Sequence, residues 1–515
     1  MQFLQNIHLI QGGMGVYVSN WRLARAVASA RQNISSKAWI TAGTISGTAL
    51  DIVYVRLLQL GDPGGHIRRA LAAFDAQFGI EIGKKIIGRY YIEGGKAPSA
   101  RFRPAPLHAV KTKDGGKIII PPSQSITSLD LILEEDTVEL LIASAFAETW
   151  LAKQEQDGLI FINFLNKIEL PMVYAMYGAM LAGVDGIVVG AGNPDGLPAI
   201  CSHLTRHEAI RRELSVLYRE TDENFFLCFD PMHIADGKLA ANPLKRPAFL
   251  AIVSSETLVK ALAESPNGAP DGFIIEHHTA GGHNAPPQGP LKLDERQQPV
   301  YSSLDEPDLK VIRQAGLPFW LAGGYGSREK LAWAQAAGAA GVQAGTIFAL
   351  CEESGMKSTY RNAILESLKK GKTDTELVQT TMFSPTGFPF KAAQIDGTLS
   401  EDIVYSARKR VCDLGVLQQR GLSKPAENGT RTMFQRCSAA PLEDFFHKRG
   451  LPRNAEGRRC LCNGLIAAAG LGQVYADYQE PAIITLGNHL DGVRRLSRNG
   501  QSPYWAQDAI DDILG

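Results

Sequence analysis

The chain has 515 residues, of which 45% are hydrophobic, 21% charged and 8% aromatic, as in an ordinary globular protein. Its 53 basic and 53 acidic residues cancel, which excludes a strongly basic surface for nucleic acid or an anionic membrane. The N-terminus does not resemble a signal peptide, and the sequence has no apolar run long enough to span a membrane. Seven cysteines without regular spacing indicate reduced thiols. We therefore expect a cytoplasmic protein that binds neither nucleic acid nor a membrane.

Short apolar runs typical of β-strands recur along the chain, and most are followed by a glycine, asparagine or serine turn and then by helical periodicity. Strands that alternate with helices predict parallel β–α–β units, hence an α/β fold, either a closed (β/α)8 TIM barrel or an open doubly wound sheet. Residues 140–143 and 225–229 bring the strand count above eight, so at least two runs must be insertions or helix. The strand-like runs are residues 7–10, 39–45, 140–143, 159–162, 186–189, 225–229, 249–253, 273–275, 319–322 and 342–343.

Two regions depart from this alternation. Residues 61–136 contain a β-like run at 86–92 and a loop rich in Lys, Arg and Pro, and we predict that they form an insertion. After residue 372 the alternation stops, and residues 373–515 hold helix signals, many turns and four of the seven cysteines. We therefore predict a barrel domain over residues 1–372 and a helical, cysteine-containing appendage over residues 373–515.

Two predicted strands, one helix apart in the sequence, end in small residues that can bind an anion. The first ends in a pair of glycines and the second in a glycine followed by a threonine. The stretch "FWLAGGYGS" contains Gly323 and Gly324, and "GVQAGTIF" contains Gly345 and Thr346. Barrels commonly bind a phosphate with the loops after strands seven and eight, where backbone N–H groups face the anion. Close packing of a helix on a strand is the alternative explanation. The chain has neither a G-x-G-x-x-G fingerprint nor a P-loop, which favours a cofactor with one phosphate over a dinucleotide.

The stretch "IIEHHTAGGHNAPP" places a histidine beside bare main chain. Gly281 and Gly282 allow the backbone to approach a planar ring, and the neutral imidazole of His283 can act as a base near pH 7. His277 and His278 are better explained as hydrogen-bonded loop residues. Their spacing also lacks the i, i+4 geometry of a helical zinc site.

The ordered strand-end motifs resemble the nitronate monooxygenase (2-nitropropane dioxygenase) family of FMN-dependent TIM-barrel flavoproteins, which is related to the flavin-dependent enoyl reductases. The matching stretches are "IQGGMG", "FIN", "GAGNP", "TAGGH", "LAGGYGS" and "VQAGT". The resemblance implies a TIM barrel, FMN as cofactor, no catalytic metal and His283 as catalytic base. It also implies the cofactor-binding residues, which are Gly13, Met14, Asn163, Gly281, Gly282, Ala322, Gly323, Gly324, Gln343, Gly345 and Thr346.

The implied reaction is oxidation of alkyl nitronates with O2 to a carbonyl compound and nitrite, with His283 first taking the α-proton of a neutral nitroalkane. Flavin-dependent enoyl-thioester reductases that act in trans with NAD(P)H, in fatty-acid or polyketide synthesis, share the barrel and its motifs. In that alternative the C-terminal region would dock an acyl-carrier protein. A non-catalytic interaction protein that keeps the flavin barrel is a third hypothesis.

Several residues stay open to more than one interpretation. Lys167 and Glu276 are candidate contacts of the flavin or of a histidine, and Arg68 and Arg69 are candidate anion ligands or ordinary residues of a solvated helix. The turn "SPTGFPFK" either caps the barrel mouth or packs two domains together, and we favour packing. Four cysteines can bind zinc or an iron–sulfur cluster, but their spacing is unusual and buried thiols are common. They are Cys412, Cys437, Cys460 and Cys462.

Overall fold

Eight parallel strands close into a barrel in the computed structural model, which describes residues 2–36, 40–122 and 128–515. Each strand pairs with its neighbours in sequence, and the last pairs with the first, with Leu9 opposite Val342. The closed (β/α)8 alternative is therefore confirmed. The barrel strands are β1 (Leu9–Gln11), β2 (Thr41–Ser46), β3 (Leu159–Leu165), β4 (Gly186–Gly190), β5 (Ala248–Val253), β6 (Gly272–Glu276), β7 (Phe319–Ala322) and β8 (Gly341–Ala344).

The barrel interior is a packed apolar core, as is usual for this fold. Ile10, Phe161, Leu250 and Trp320 are fully buried there, and Trp320 donates its indole N–H to the carbonyl of Ile7 at 2.7 Å. Side chains point alternately into the barrel and toward the helices, because successive residues of a strand face opposite sides. The filled interior leaves the loops at the carboxyl ends of the strands as the place where a ligand can bind.

Helices surround the barrel and continue after it. Glu135–Lys153 begins with Glu135 and Asp136, acidic residues that favour a helix N-terminus, and almost all of its other side chains are buried. The α-helices up to residue 372 are Trp21–Ala28, Arg31–Ser36, Leu50–Gln59, His66–Phe78, Ile82–Tyr90, Glu135–Lys153, Glu169–Leu181, Leu197–Leu204, Glu256–Ala263, Leu309–Gln314, Arg328–Ala336, Thr346–Ala349 and Ser358–Lys369, and the 3-10 helices are Gln2–Asn6, Pro231–Ala240 and Ser303–Asp305.

The predicted insertion lies between β2 and β3 and differs in detail from the expectation. The β-like run 86–92 falls mainly in helix Ile82–Tyr90, and the run 140–143 lies in helix Glu135–Lys153. The first helix buries one apolar face and the second is buried on almost all sides, and a short apolar run of either kind resembles a buried strand. The run 225–229 is a strand, but it belongs to a small sheet outside the barrel. That sheet consists of Val110–Thr112, Leu129–Leu133, Phe225–Phe229 and Ile210–Glu213. Residues 123–127 of the insertion and Trp39 lie outside the described residues.

Residues 373–515 contain strands as well as helices and pack against the barrel, while the division of the chain into domains stays a prediction. The last helix contacts the barrel helices Trp21–Ala28 and Arg328–Ala336. The helices of this region are Asp374–Leu377, Asp402–Ala407, Leu442–His447, Pro452–Ala455, Leu461–Ala468, Asp491–Leu496 and Ala506–Leu514. The remaining strands of the chain are Ile119–Ile120, Val216–Leu217, Gly282–His283, Val378–Phe383, Pro389–Ala393, Gln419–Leu422, Arg431–Arg436, Val474–Tyr475 and Tyr478–Gln479. In the described part of the chain, every helix is too short or too polar to cross a membrane.

Candidate functional site

A cavity of about 320 Å³ opens at the carboxyl ends of the barrel strands. This is the end at which α/β barrels carry their active sites, because the loops that follow the strands converge there. The structure brings all twelve residues predicted for the site into its lining. They are Gly13, Met14, Asn163, Gly281, Gly282, His283, Ala322, Gly323, Gly324, Gln343, Gly345 and Thr346.

The glycines of the lining are required by close approaches. Gly323 and Gly324 have φ angles of +92° and +83°, a conformation that other residues adopt at a cost. A Cβ on Gly324 would lie 2.3 Å from the ring of His489, and one on Gly281 would lie 2.6 Å from the backbone of Leu486. The cavity wall is therefore main chain, held between the barrel loops and a segment from the far C-terminus.

His283 stands at the edge of this wall and is held by the C-terminal region. It pairs with Phe390 in a short antiparallel bridge, and the next residue, Asn284, donates its backbone N–H to Pro389 at 3.0 Å. The Asn284 side chain donates to the carbonyl of Ala280 at 2.8 Å, which closes the loop. Within the described residues, Nε2 of His283 is buried and has no hydrogen-bond partner. A buried nitrogen without a hydrogen-bond partner costs free energy. A bound ligand that forms a hydrogen bond with this atom would remove that cost.

The surroundings of His283 favour the neutral form of its imidazole. Burial, and to a smaller extent the positive charge of Lys167, hold the pKa of His283 well below its usual range. A neutral imidazole has a free acceptor nitrogen, so it can take a proton at neutral pH. Its low pKa makes it a weak base, and the chemistry therefore needs an acidic C–H or a site that stabilises the resulting anion.

Lys167 and Glu276 form a second pair of titratable groups near His283. Burial lowers the pKa of Lys167 to about 7, although the Glu276 charge raises it; burial raises the pKa of Glu276 to about 7, although the Lys167 charge lowers it. The Lys167 ammonium lies 3.8 Å from the ring centroid of Phe388 and, among the described residues, has no hydrogen-bond acceptor. Glu276 lines the cavity. The prediction that these two residues contact a ligand stays open.

The other end of the cavity is suited to an anion. Thr346 begins a short helix after β8, and its hydroxyl accepts the N–H of Gly487 at 2.8 Å, so it keeps its own proton to donate. Lys330 and Arg495 line the same cavity beside the glycines. Arg495 is neutralised in part by Asp512, to which its Nε donates at 3.0 Å.

These features fit a flavin mononucleotide. A flat ring needs a wall without side chains, which Gly281, Gly282 and Gly324 provide, and a single phosphate needs N–H, hydroxyl and cationic donors. Met14 lines the same cavity, and its sulfur lies 3.5 Å from the position that a Cβ on Gly345 would take. The buried, unpartnered Nε2 of His283 supplies one further polar group that a bound molecule can satisfy.

Other candidates from the sequence lie outside the cavity lining. His277 pairs through Nε2 with Glu306 at 2.8 Å and through Nδ1 with Thr279, and His278 stacks on Tyr301, which agrees with their interpretation as hydrogen-bonded or packed loop residues. Both ring nitrogens of His277 are thus already in use. In the first turns of helix His66–Phe78, Arg68 donates to Asp62 and stacks on the ring of Tyr91, and Arg69 contacts His66. These contacts agree with the interpretation of both arginines as ordinary helix residues.

Sequence reasoning missed the residues that the C-terminal region brings to the cavity. Phe390 belongs to the turn that we expected to pack two domains together, and the structure places it in the wall of the cavity. The expectation was incomplete because pairing with Gly282 and His283 carries this strand to the mouth. A second segment begins at the end of the apolar run 482–486, where an apolar run followed by glycine repeats the pattern of the barrel motifs. The residues it contributes are Thr485, Leu486, Gly487, His489, Asp491, Gly492, Val493 and Arg495.

Residues 238–385 match the family model described as "Nitronate monooxygenase". No curated protein matches the chain. Among solved structures, FabK from Thermotoga maritima is similar with a TM-score of 0.45 and 13% identity, covering 100% of this chain and 93% of that one. Nitroalkane oxidase from Streptomyces ansochromogenes is similar with a TM-score of 0.37 and 15% identity, covering 75% and 77% of the two chains. Structural similarities this weak carry no argument about function.

The barrel and the family match together define a flavin-dependent oxidoreductase. Residues 238–385 carry the match to the nitronate monooxygenase family model, so the resemblance that the strand-end motifs indicate is confirmed over that segment. That segment contains β5 to β8, the His283 loop and the strand end with Gly323 and Gly324. The match says nothing about the substrate.

Proposed function

We propose that the protein is an FMN-dependent nitronate monooxygenase, which oxidises alkyl nitronates with O2 to a carbonyl compound and nitrite. The observation that carries the proposal is the half-buried His283, whose Nε2 is buried and without a partner at the edge of a glycine-lined cavity. This arrangement suits removal of a proton from a carbon acid beside a planar cofactor.

The cofactor proposal rests on the lining of the cavity. Gly323, Gly324, Gly345 and Thr346 would hold the phosphate, and Lys330 would add positive charge. Gly13, Met14, Asn163, Gly281, Gly282, Ala322 and Gln343 would contact the rest of the molecule. When bound, FMN supplies an acceptor for two electrons that O2 can reoxidise.

The protein's own contribution is to accept a proton and to stabilise an anion. His283 accepts the α-proton of a neutral nitroalkane at Nε2, the atom that is left unpaired in the structure. The proton turns the imidazole into a cation next to the nitronate, and this attraction is strong because bulk water is excluded. Lys167 adds a further positive charge in the fraction of molecules in which it is protonated. A substrate that enters as the nitronate needs only the second function.

The base assignment is tested with two substrates. His283→Ala should keep FMN but lose about 100- to 10,000-fold in turnover on 2-nitropropane, the range of one general base. Its turnover on the preformed nitronate should change much less. His233→Ala is the control, since that side chain is 82% exposed. Normal turnover of 2-nitropropane by His283→Ala, measured as O2 uptake, would overturn the assignment.

The same preparation separates the two enzyme classes. Rapid O2 uptake with propionate 3-nitronate, together with no bleaching of the flavin by NAD(P)H under anaerobic conditions, supports the monooxygenase. Rapid anaerobic bleaching by NAD(P)H, without O2 uptake on nitronate, would instead assign the protein to the enoyl-thioester reductases. A colourless protein that takes up no FMN would overturn both.

A further inference from the structure

Two adjacent histidines and a glutamate, which we call the rim triad, meet outside the lining of the barrel cavity. His277 and His278 follow β6 directly, and Glu306 follows the short helix Ser303–Asp305. Across the part of the chain that the structure describes, this is the only group of three histidine, cysteine, aspartate or glutamate side chains whose ligand atoms all lie within 4.8 Å of one another. No three of the four C-terminal cysteines are that close. Imidazole nitrogens and a carboxylate oxygen suit zinc and related divalent transition metals.

The ring of His277 is oriented as that of a metal-binding histidine. Its Nδ1 lies 2.8 Å from Oγ1 of Thr279, and its Nε2 lies 2.8 Å from Oε1 of Glu306. A histidine that binds a metal through one nitrogen usually donates its other N–H to a nearby oxygen, which fixes the ring and the tautomer. The Thr279 hydroxyl can accept that hydrogen bond. A cation between Nε2 and Glu306 would then replace the proton that joins them.

Contacts of their own position the other two members of the triad. The ring of His278 stacks on Tyr301, with centroids 3.9 Å apart and planes at 6°, and its backbone carbonyl accepts a hydrogen bond from Lys391 at 2.9 Å. A capping box stabilises the helix Ser303–Asp305, which Glu306 follows directly. The Glu306 side chain is 60% exposed, so it can rotate, and an ion can reach it from solvent.

The distances within the triad allow an ion to bind after small side-chain rotations. Zinc binds nitrogen and oxygen at about 2.0–2.2 Å, so two ligands of a tetrahedral ion lie about 3.3 Å apart. The 2.8 Å between His277 and Glu306 is slightly shorter than this, and the distances to His278 do not exceed 4.8 Å. The spacing of the ligand atoms must therefore change by about 1.5 Å or less.

Histidine–carboxylate pairs elsewhere on the surface show what is particular to the triad. Nδ1 of His203 lies 2.5 Å from Glu208, and Nδ1 of His233 lies 3.2 Å from Asp230. Neither pair has a third metal-binding side chain within the same range among the described residues. A hydrogen bond between an imidazole and a carboxylate thus does not by itself bring in a second imidazole. That second imidazole is the feature that indicates a metal.

We propose that the rim triad binds one divalent transition-metal ion, with water as the remaining ligand. Zinc is the best match, because it accepts nitrogen and oxygen ligands in a four-coordinate site. The site is independent of the proposed function, since none of its three side chains lines the cavity. Its role is structural. The ion ties the end of β6 to Glu306 and so holds both ends of the segment that carries His283, while Thr279, which orients His277, reaches the cavity wall.

The test is a zinc titration of the full-length protein without a histidine tag, after a chelator has removed bound metal. By isothermal titration calorimetry we expect one equivalent of zinc to bind per chain, and the melting temperature should rise with zinc concentration. Cobalt(II) in the same site should show the visible absorption of a tetrahedral ion. A titration without stoichiometric binding would overturn the proposal. So would a thiolate-to-cobalt charge-transfer band, which would place the metal on cysteines.

Variants then assign the ligands. His278→Ala and Glu306→Gln should each weaken zinc binding at least about tenfold, since even the loss of a residue that only orients a ligand costs that much. Glu208→Gln is the matched control, because it removes the carboxylate of a pair without a third ligand, and it should bind zinc as the natural protein does. Glu306→Gln changes an exposed side chain and should fold normally, which circular dichroism checks. Unchanged affinity in His278→Ala and Glu306→Gln, or an equal loss in Glu208→Gln, would overturn the assignment.

Discussion

The imidazole of His283 lies edge-on to the ring of Phe390, with centroids 5.0 Å apart and planes at 87°. The two residues also face each other in the backbone bridge between the barrel loop and the C-terminal strand. An edge-to-face contact of this kind is directional, since it favours one orientation of the ring. The C-terminal region therefore sets the orientation of the proposed base.

Removal of the Phe390 ring should release His283 without removing the cofactor. We expect Phe390→Ala to lower turnover of a neutral nitroalkane at least tenfold, with turnover of the preformed nitronate less affected, because only the neutral substrate needs an aligned base. Phe390→Tyr keeps the ring edge and should restore most of the rate. Equal losses on both substrates would show that Phe390 acts on flavin or folding, not on His283. Steady-state O2 uptake on the two substrates makes the comparison.

Gly324→Ala should weaken FMN binding and destabilise the fold. The residue has φ +83°, and its new Cβ would lie 2.3 Å from the His489 ring, so either the loop or the histidine must move. We expect a cost of about 1–3 kcal/mol in unfolding free energy and at least tenfold weaker FMN binding. Gly316→Ala is the matched control, because Gly316 also has a positive φ, +71°, but lies outside the cavity lining, and a Cβ there would meet nothing within 4 Å. Similar FMN affinity of the two variants, measured by fluorescence titration, would contradict the predicted cradle.

Lys167 should influence the pH at which the enzyme works. Its charge is a secondary cause of the low pKa of His283, after burial. Lys167→Met should therefore raise the pKa of His283 and move the acidic limb of kcat/KM for a nitroalkane to higher pH. Lys167→Arg retains a charge and should move the limb less. The measurement is a pH–rate profile of the free enzyme; an unmoved limb in Lys167→Met would show that another group controls it.

Because of Glu148, the unfolding free energy of the protein should decrease as the pH rises from 4.5 to 7. Its carboxylate is fully buried, accepts Trp21 N–H at 2.6 Å and Tyr54 O–H at 2.8 Å, and burial raises its pKa from an ordinary 4.5 to about 7. The folded state thus binds a proton between these pH values that the unfolded state has lost, so its contribution to stability declines from pH 4.5 to 7 and stays low above.

Glu148→Gln removes this titration. Relative to the natural protein, the unfolding free energy of the variant should increase by about 3 kcal/mol between pH 4.5 and pH 8. The exposed Glu81, changed to Gln, serves as control and should shift the pH dependence little. Urea unfolding at a series of pH values measures the difference. A constant difference across that range would place the pKa of Glu148 near its ordinary value.

Much of the barrel was predictable from local pattern. Each strand of a parallel barrel is buried on both faces, so it reads as an apolar run, and the loop after it must turn tightly, so it carries glycine. For this reason the sequence of residues 319–327 and 341–348 predicted both a barrel strand and a phosphate-binding loop after it. The pattern failed for 86–92 and 140–143, because a short apolar run does not distinguish a buried strand from a buried helix.

Sequence motifs and the family resemblance predicted twelve of the residues that line the cavity from the barrel side, since these follow strands that must end at one edge, but they missed others there, such as Ser46, Thr48 and Ile252. They did not determine that Phe390 and Thr485–His489 complete the wall, nor that the four C-terminal cysteines line one small cavity. Those neighbours are hundreds or tens of residues apart in the chain, and only the return of the C-terminal region across the barrel mouth brings them together. Burial, which shifts the pKa of His283 and Lys167, arises from that same closure.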